Sequence, residues 1–361
     1  MTAFRGILRL PANRVRRTYP GGQTLDAIEG NPSPADSVFA EDWVASTTRS
    51  AGADATRPNE GMSIVLVGDE RVDFSSVLAS DPDYYLGSAH AARFGPVPQV
   101  LVKYLDSGTR LHLQVHPTRE FARRHLEATS GKTEAYHILD VRPGLPEPPY
   151  IYAGFQHPPP SAELKRMIER QEIAGLEACF EKILVKPGDT FLIPGGTPHA
   201  LGPGIFMVEI QEPTDLVVRY EFERAGATLP ESARFMGRDL DFALQIFNLE
   251  RVTEDDVERH LRCRPRRLRS WGDHSWQDEL IGPDKTKCFG MKKTHLGGIV
   301  EKAEEYFSIV FVTKGTVTVE AAGHTHTFQR FEKFFVPAGI GTLRLASACA
   351  VELLECYPPP A

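Results

Sequence analysis

Gln114 and His116 stand two apart in residues 110–116, a stretch that reads as a β-strand. Side chains two apart on a strand leave the same face. If that face lines the interior of a barrel, the pair can grip one ion. Two more groups of suitable chemistry follow. Glu134 sits near the start of the next strand, after the turn at Ser130 and Gly131, and His199 lies beyond a strand and the turn of PGGTPHAL, where a barrel rim would be. Two imidazoles, a carboxylate and an amide oxygen leave coordination positions open for water or substrate oxygens, the layout of a catalytic site. A nitrogen and oxygen set without thiolate suits zinc, with manganese, cobalt or iron as alternatives. Spacing alone establishes only that Gln114 and His116 share a face; a strand histidine can equally be a core or surface residue.

The elements that must position these groups are mostly strands. Residues 62–67, 99–105, 110–116, 135–141, 182–194, 206–211 and 216–222 have strand character, separated by turns rich in Gly, Pro and Asp. Residues 1–95 read as short strands and loops, with a short helix followed by a strand within 39–50. Helical spacing marks 118–128, opened by Thr118, and 161–180, opened by Ser161 as a cap and broken near Gly175. Helices near 231–262 suggest a boundary. Strands return from about 265, and FQRFEKFFVPAGIGTLRL echoes VKPGDTFLIPGGTPHAL. The expected fold is mainly β: two tandem jelly-roll β-barrels with a few packed helices. The metal-binding catalytic domain is expected over 1–240, a helical linker over 241–265, and a second jelly-roll domain without metal over 266–361. In that last domain His324 and His326 form an HxH pair that reads as an exposed strand face.

The 361 residues suffice for two or three domains, and a formal net charge of −7 argues against nucleic acid or an anionic membrane as the main partner. It leaves room for a small anionic substrate in a locally basic pocket. No apolar run approaches the roughly 20 residues of a membrane span, and the N-terminus does not read as a secretory signal. Five scattered cysteines without CxxC spacing read as free thiols in a reducing cytoplasm. Oligomeric state is not legible.

LHLQVHPT, GKTEAYHIL, LIPGGTPHALGPG and VEIQEPTDLVVRYEFER follow one another in this order. Together they resemble the type I mannose-6-phosphate isomerases, zinc enzymes of the cupin superfamily, and the short bacterial forms most of all. The likeness is strongest over residues 99–224. It implies one divalent metal, zinc first, held by Gln114, His116, Glu134 and His199. It also matches Lys132, two before the glutamate, and Asp215, four before Arg219, to functional positions. Two departures stand out. His112 occupies a position where many relatives carry a small hydroxyl residue, and Tyr220-Glu221-Phe222-Glu223 follows Arg219 where family members often have Leu/Val-Tyr-Asp. His112 is therefore expected to contact the sugar or to present a third histidine to the metal.

The activity so implied interconverts mannose 6-phosphate and fructose 6-phosphate through a cis-enediol. Arg219 would stabilise the enediolate, Lys132 and Asp215 would handle protons and ring opening, and His112, Lys132 and Arg219 would contact substrate. Isomerisation of a related sugar or sugar phosphate is the alternative, with a non-catalytic sugar-binding cupin behind it.

Overall fold

The computed structural model describes residues 4–68 and 70–360. The chain forms two compact units, and neither is continuous in sequence. One comprises the chain up to Asn13, Trp43–Val102 and the chain from Arg264; the other comprises Arg14–Asp42 and Lys103–Cys263. This partition differs from the expected linear one: the chain before residue 103 is shared between the units, and the segment 241–263 belongs to a unit instead of linking two.

The unit that carries the candidate ligands is built from two antiparallel sheets. Its strands are β1 (Arg14–Val15), β2 (Glu41–Val44), β3 (Leu101–Asp106), β4 (Gln114–Val115), β5 (Glu134–Val141), β6 (Tyr150–Ala153), β7 (Ile183–Leu184), β8 (Thr190–Ile193), β9 (His199–Leu201), β10 (Ile205–Gln211) and β11 (Val218–Arg219). One sheet has the order β8-β5-β10-β3-β2-β1, the other β7-β6-β9-β4-β11. Each sheet is hydrogen-bonded within itself, and they share one core.

That core explains where a site can form. Tyr136 and Ile138 from β5, Phe191 and Ile193 from β8, Ile205 and Met207 from β10, Ile151 from β6 and Leu201 from β9 meet in one buried cluster. Strand alternation places Glu134 on the same face as Tyr136 and Ile138, and Glu209 on the same face as Met207. Register then aligns Glu209 with Tyr136, and Gln211 and Ile193 with Glu134. The interior is thus apolar at one end and charged at the other, because the inward residues change from Ile, Phe and Met to Glu along the same strands.

Two helices flank the second sheet, α1 (Ser161–Arg170) and α2 (Ile173–Glu177). Leu164, Met167 and Ile168 form the buried face of α1, as its periodicity predicts. Ser161 does not cap it: Pro160 holds that position and no side chain accepts from the first turn. The break falls at Gln171, with φ of 52°, and Gly175 lies inside α2.

In the other unit, Phe74–Ser80, Pro82–Leu86 and Ser88–Phe94 are helices in a region expected to hold strands and loops. Residues 41–44 form a strand where a short helix was expected first. From Arg266 onward the unit is strand-rich, as its sequence suggests. His324 is exposed and His326 partly buried on the strand His324–Gln329. The buried Glu355 carboxylate bonds Tyr357 Oη at 2.6 Å and Gln277 Nε2 at 3.2 Å and also contacts Lys302 and Thr294. No helix among the described residues is long and apolar enough to cross a membrane.

Ile138 tests the core that supports the charged end. It is fully buried, so Ile138→Ala should cost about 2–5 kcal/mol by the cavity it leaves, measured by denaturant unfolding. A loss well under 1 kcal/mol would mean that the two sheets do not share this core.

Candidate metal centre

Three short stretches of chain deliver the ligands, and backbone pairing fixes their register. His199 on β9 and Arg219 on β11 both pair with Gln114 on β4, from opposite sides. Directly paired residues share a face, so Arg219, Gln114 and His199 form one row across the second sheet. Glu134 projects from the first sheet. His116 follows just beyond β4, and its carbonyl accepts from Gly196 N at 2.7 Å in the turn before His199.

Lys132 rides on a loop fastened by several bonds. Its N–H donates to the Pro117 carbonyl at 3.0 Å. Thr133 N and Arg119 Nε donate to the buried Glu212 carboxylate at 3.0 and 2.7 Å. At Gly131 a Cβ would stand 2.4 Å from Arg119 N, so only glycine permits this approach.

The polar atoms converge. His199 Nε2 lies 3.1 Å from Glu134 Oε1, His116 Nε2 lies 3.2 Å from Glu134 Oε2, and Gln114 Nε2 lies 3.2 Å from His199 Nε2. Lys132 Nζ is 2.9 Å from His116 Nε2 and 3.0 Å from Glu134 Oε2. Tyr136 Oη donates to Glu134 Oε1. His116, Glu134 and His199 are buried, and their ligand atoms lie within 4.8 Å of one another.

These residues fit a divalent ion on three counts. His116 Nδ1 faces the Leu216 carbonyl at 2.9 Å, and His199 Nδ1 faces the Thr197 carbonyl at 2.8 Å. A carbonyl only accepts, so each Nδ1 carries the proton, and such a ring when neutral turns an Nε2 lone pair inward. Secondly, Glu134 Oε2 is buried and accepts no well-aligned hydrogen bond despite its near neighbours. Thirdly, a tetrahedral ion with bonds of about 2.0–2.2 Å spaces its ligands about 3.3–3.6 Å apart, close to the 3.1–3.2 Å separations here. Exchanging the amide O and N of Gln114, which have nearly the same shape, turns its oxygen toward the same point.

Electrostatics agree. Burial, with Lys132 beside it, lowers the His116 pKa to about 3 and keeps the ring neutral. Burial alone would raise the Glu134 carboxyl, but the Lys132 charge beside it pulls it well below the usual range.

A 20 Å³ cavity adjoins this cluster, lined by Arg17, His112, Lys132, Glu134, Glu209 and Arg219 among others. His112 faces it but stands apart from the converging ligand atoms: its Nδ1 meets the Glu221 carbonyl at 3.0 Å. Arg219 also faces it. Asp215 does not line it; both of its carboxylate oxygens engage Arg17, at 3.2 Å each. Sequence reasoning passed over Arg17, Tyr19, Glu41, Lys103 and Glu209. Lys103 Nζ sits 3.3 Å from Glu41 Oε2 and 3.2 Å from Glu209 Oε1. Burial pushes the Glu209 carboxyl up to about 8, against the pull of Lys103.

No family model matches the chain. Among curated proteins, the mannose-6-phosphate isomerase ManA of Bacillus subtilis (strain 168) is 26% identical over 289 residues, 79% of this chain and 82% of its own. The mannose-6-phosphate isomerase of Streptococcus mutans is 34% identical over 191 residues, 52% of this chain and 55% of its own. The chain is similar over most of its length to a curated mannose-6-phosphate isomerase. Solved structures agree on the fold. The mannose 6-phosphate isomerase from Bacillus subtilis matches with a TM-score of 0.75 at 19% identity, covering 98% of this chain and 100% of that one. A phosphomannose isomerase variant from Salmonella typhimurium matches with a TM-score of 0.71 at 16% identity, with the same coverage. The mainly β architecture with antiparallel sheets expected from the sequence is the one observed.

The neutral His116 has a consequence for metal-free protein. In the unfolded chain a histidine takes a proton below about pH 6.5; in the folded protein His116 does so only near 3. Its folded pKa is depressed, so the unfolded state binds the extra proton and stability falls as pH drops from about 6.5, by up to about 1.4 kcal/mol per pH unit. His116→Asn should flatten that slope in urea unfolding of chelated protein between about pH 6 and 4. An unchanged slope would contradict the burial of a neutral ring.

Proposed function

We propose that this protein is a metal-dependent aldose–ketose isomerase that interconverts mannose 6-phosphate and fructose 6-phosphate through a cis-enediol. The observation that carries the reading is the convergence of His116 Nε2, His199 Nε2 and Glu134 beside a cavity edged by Lys132 and Arg219. The homologous isomerases support the choice of reaction.

Gln114, His116, Glu134 and His199 would hold one divalent ion, for which the ligand chemistry favours zinc. When bound, such an ion supplies a Lewis acid next to the sugar oxygens. The remaining work falls to side chains. Moving a proton between C2 and C1 requires a group that reaches both carbons. Lys132 faces the cavity and is our candidate. Glu209, with its pKa near 8, is poised to give or take a proton near neutral pH. Arg219 brings positive charge to the enediolate oxygens. His112 edges the sugar subsite and shapes its selectivity. Asp215, expected to move protons, is read here as acting through Arg17. Free cysteines and the small-molecule chemistry suit a cytoplasmic enzyme.

The test is fructose 6-phosphate formation by purified protein supplied with mannose 6-phosphate. Zinc-loaded protein should turn over, chelated protein should not, and metal should restore the rate. Lys132→Met should lower kcat by about 10²–10⁴-fold, the usual contribution of a positioned acid or base, with metal content unchanged. Turnover by fully metal-free protein would sink the mechanism, and no product from the loaded protein would sink the reaction.

A further inference from the structure

Two arginines that line the cavity, Arg17 and Arg219, lie within electrostatic reach of one buried carboxylate, Asp215. Asp215 stands four residues before Arg219 in the chain, and that spacing suggests they pair with each other. The structure gives Asp215 to Arg17 instead. Arg17 Nη1 and Nη2 meet Asp215 Oδ2 and Oδ1 at 3.2 Å each, a two-pronged contact that matches guanidinium to carboxylate. Arg17 Nε lies 3.2 Å from Glu41 Oε1 as well. The side chains of Arg17 and Asp215 are only 9% and 6% exposed, so the pairing is made away from water.

Arg219 is left in a different state. Its Nη1 donates to the Ala233 carbonyl at 3.2 Å, and none of the ion pairs among the described residues includes it. Burial and the neighbouring Arg17 charge lower its pKa to about 10, while Asp215 pulls the other way. Arg219 is thus a desolvated cation, facing the cavity, within the electrostatic reach of a carboxylate that another arginine holds. A buried charge stripped of its partner is costly and turns to the nearest opposite charge.

We propose that Arg17 is a positioning residue: by holding both oxygens of Asp215 it keeps Arg219 uncommitted, so that Arg219 can receive an anionic oxygen of the substrate. The inference rests on the isomerase reading for its substrate. Without Arg17, Asp215 captures Arg219 and the cavity loses its anion receptor.

The experiment compares wild type, Arg17→Ala, Asp215→Ala and the double variant, each checked for metal content. It measures KM and kcat for mannose 6-phosphate and, separately, the dissociation constant of inorganic phosphate by calorimetry. Arg17→Ala should weaken KM and phosphate binding by about tenfold or more, the scale of one charge-assisted contact, with a smaller change in kcat. Adding Asp215→Ala should return both to within about threefold of wild type. If Arg17 itself binds the anion, the double variant stays as weak as the single one, and the proposal is overturned. It is equally overturned if Arg17→Ala changes neither constant. Should Arg17→Ala not fold, Arg17→Lys serves, since an ammonium cannot make the two-pronged contact; it too should be rescued by Asp215→Ala. If wild type binds phosphate but does not isomerise mannose 6-phosphate, the reaction assigned above fails while the phosphate series still decides the role of Arg17.

Discussion

A carboxylate that is 1% exposed needs positive charge close by, and the architecture of this unit follows from meeting that need at Glu134. Lys132 supplies one charge from an adjacent loop. His116, kept neutral by its burial, offers a lone pair instead of charge, and His199, whose Nδ1 also faces a backbone carbonyl, turns its Nε2 toward the same carboxylate. One lysine against a carboxylate with a poorly bonded oxygen and two inward ring nitrogens is an incomplete arrangement, which a divalent ion would complete. The surrounding constraints serve the same end. Gly131 lets the Lys132 loop close on the chain at Arg119, Glu212 fastens that loop, and the Gly196 turn ties His116 to His199.

The two sheets differ in what they contribute. The row of Arg219, Gln114 and His199 comes from short, neighbouring strands, so its geometry depends on backbone pairing. Glu134, Tyr136 and Glu209 come from long strands whose apolar halves fill the core. Placing charges one strand step above Ile, Phe and Met gives them rigid support and little water. The same placement raises Glu209 and keeps His116 neutral, by one cause: burial penalises whichever form carries charge.

Much of this was legible in the residues. Gln114 and His116 declared a shared face by alternation, and the ordered motifs brought in Glu134, His199, Lys132 and Arg219, all of which meet in one place. Long or strongly patterned elements, such as β5 and α1, stood out. The helices at Phe74–Ser80, Pro82–Leu86 and Ser88–Phe94 did not, because five to seven residues cover less than two turns and periodicity barely develops. Their start signals were present: Asp73 accepts from Ser76 N, and Asp81 accepts from Tyr84 N and precedes Pro82. Arg17, Glu41 and Lys103 were hidden for another reason. A charged residue in a loop or strand reads as solvated, and only packing of distant chain segments turns it inward. Asp215 shows the limit of local spacing, since its partner lies 198 residues away and not four.

The most direct measurement is anomalous X-ray scattering at the zinc edge, on crystals of zinc-loaded protein whose turnover has been measured beforehand. The account predicts one strong peak in this unit, bounded by the Nε2 atoms of His116 and His199, the Glu134 carboxylate and the Gln114 amide oxygen. A fully active crystal form with no peak there, or with its only peak elsewhere, would contradict it.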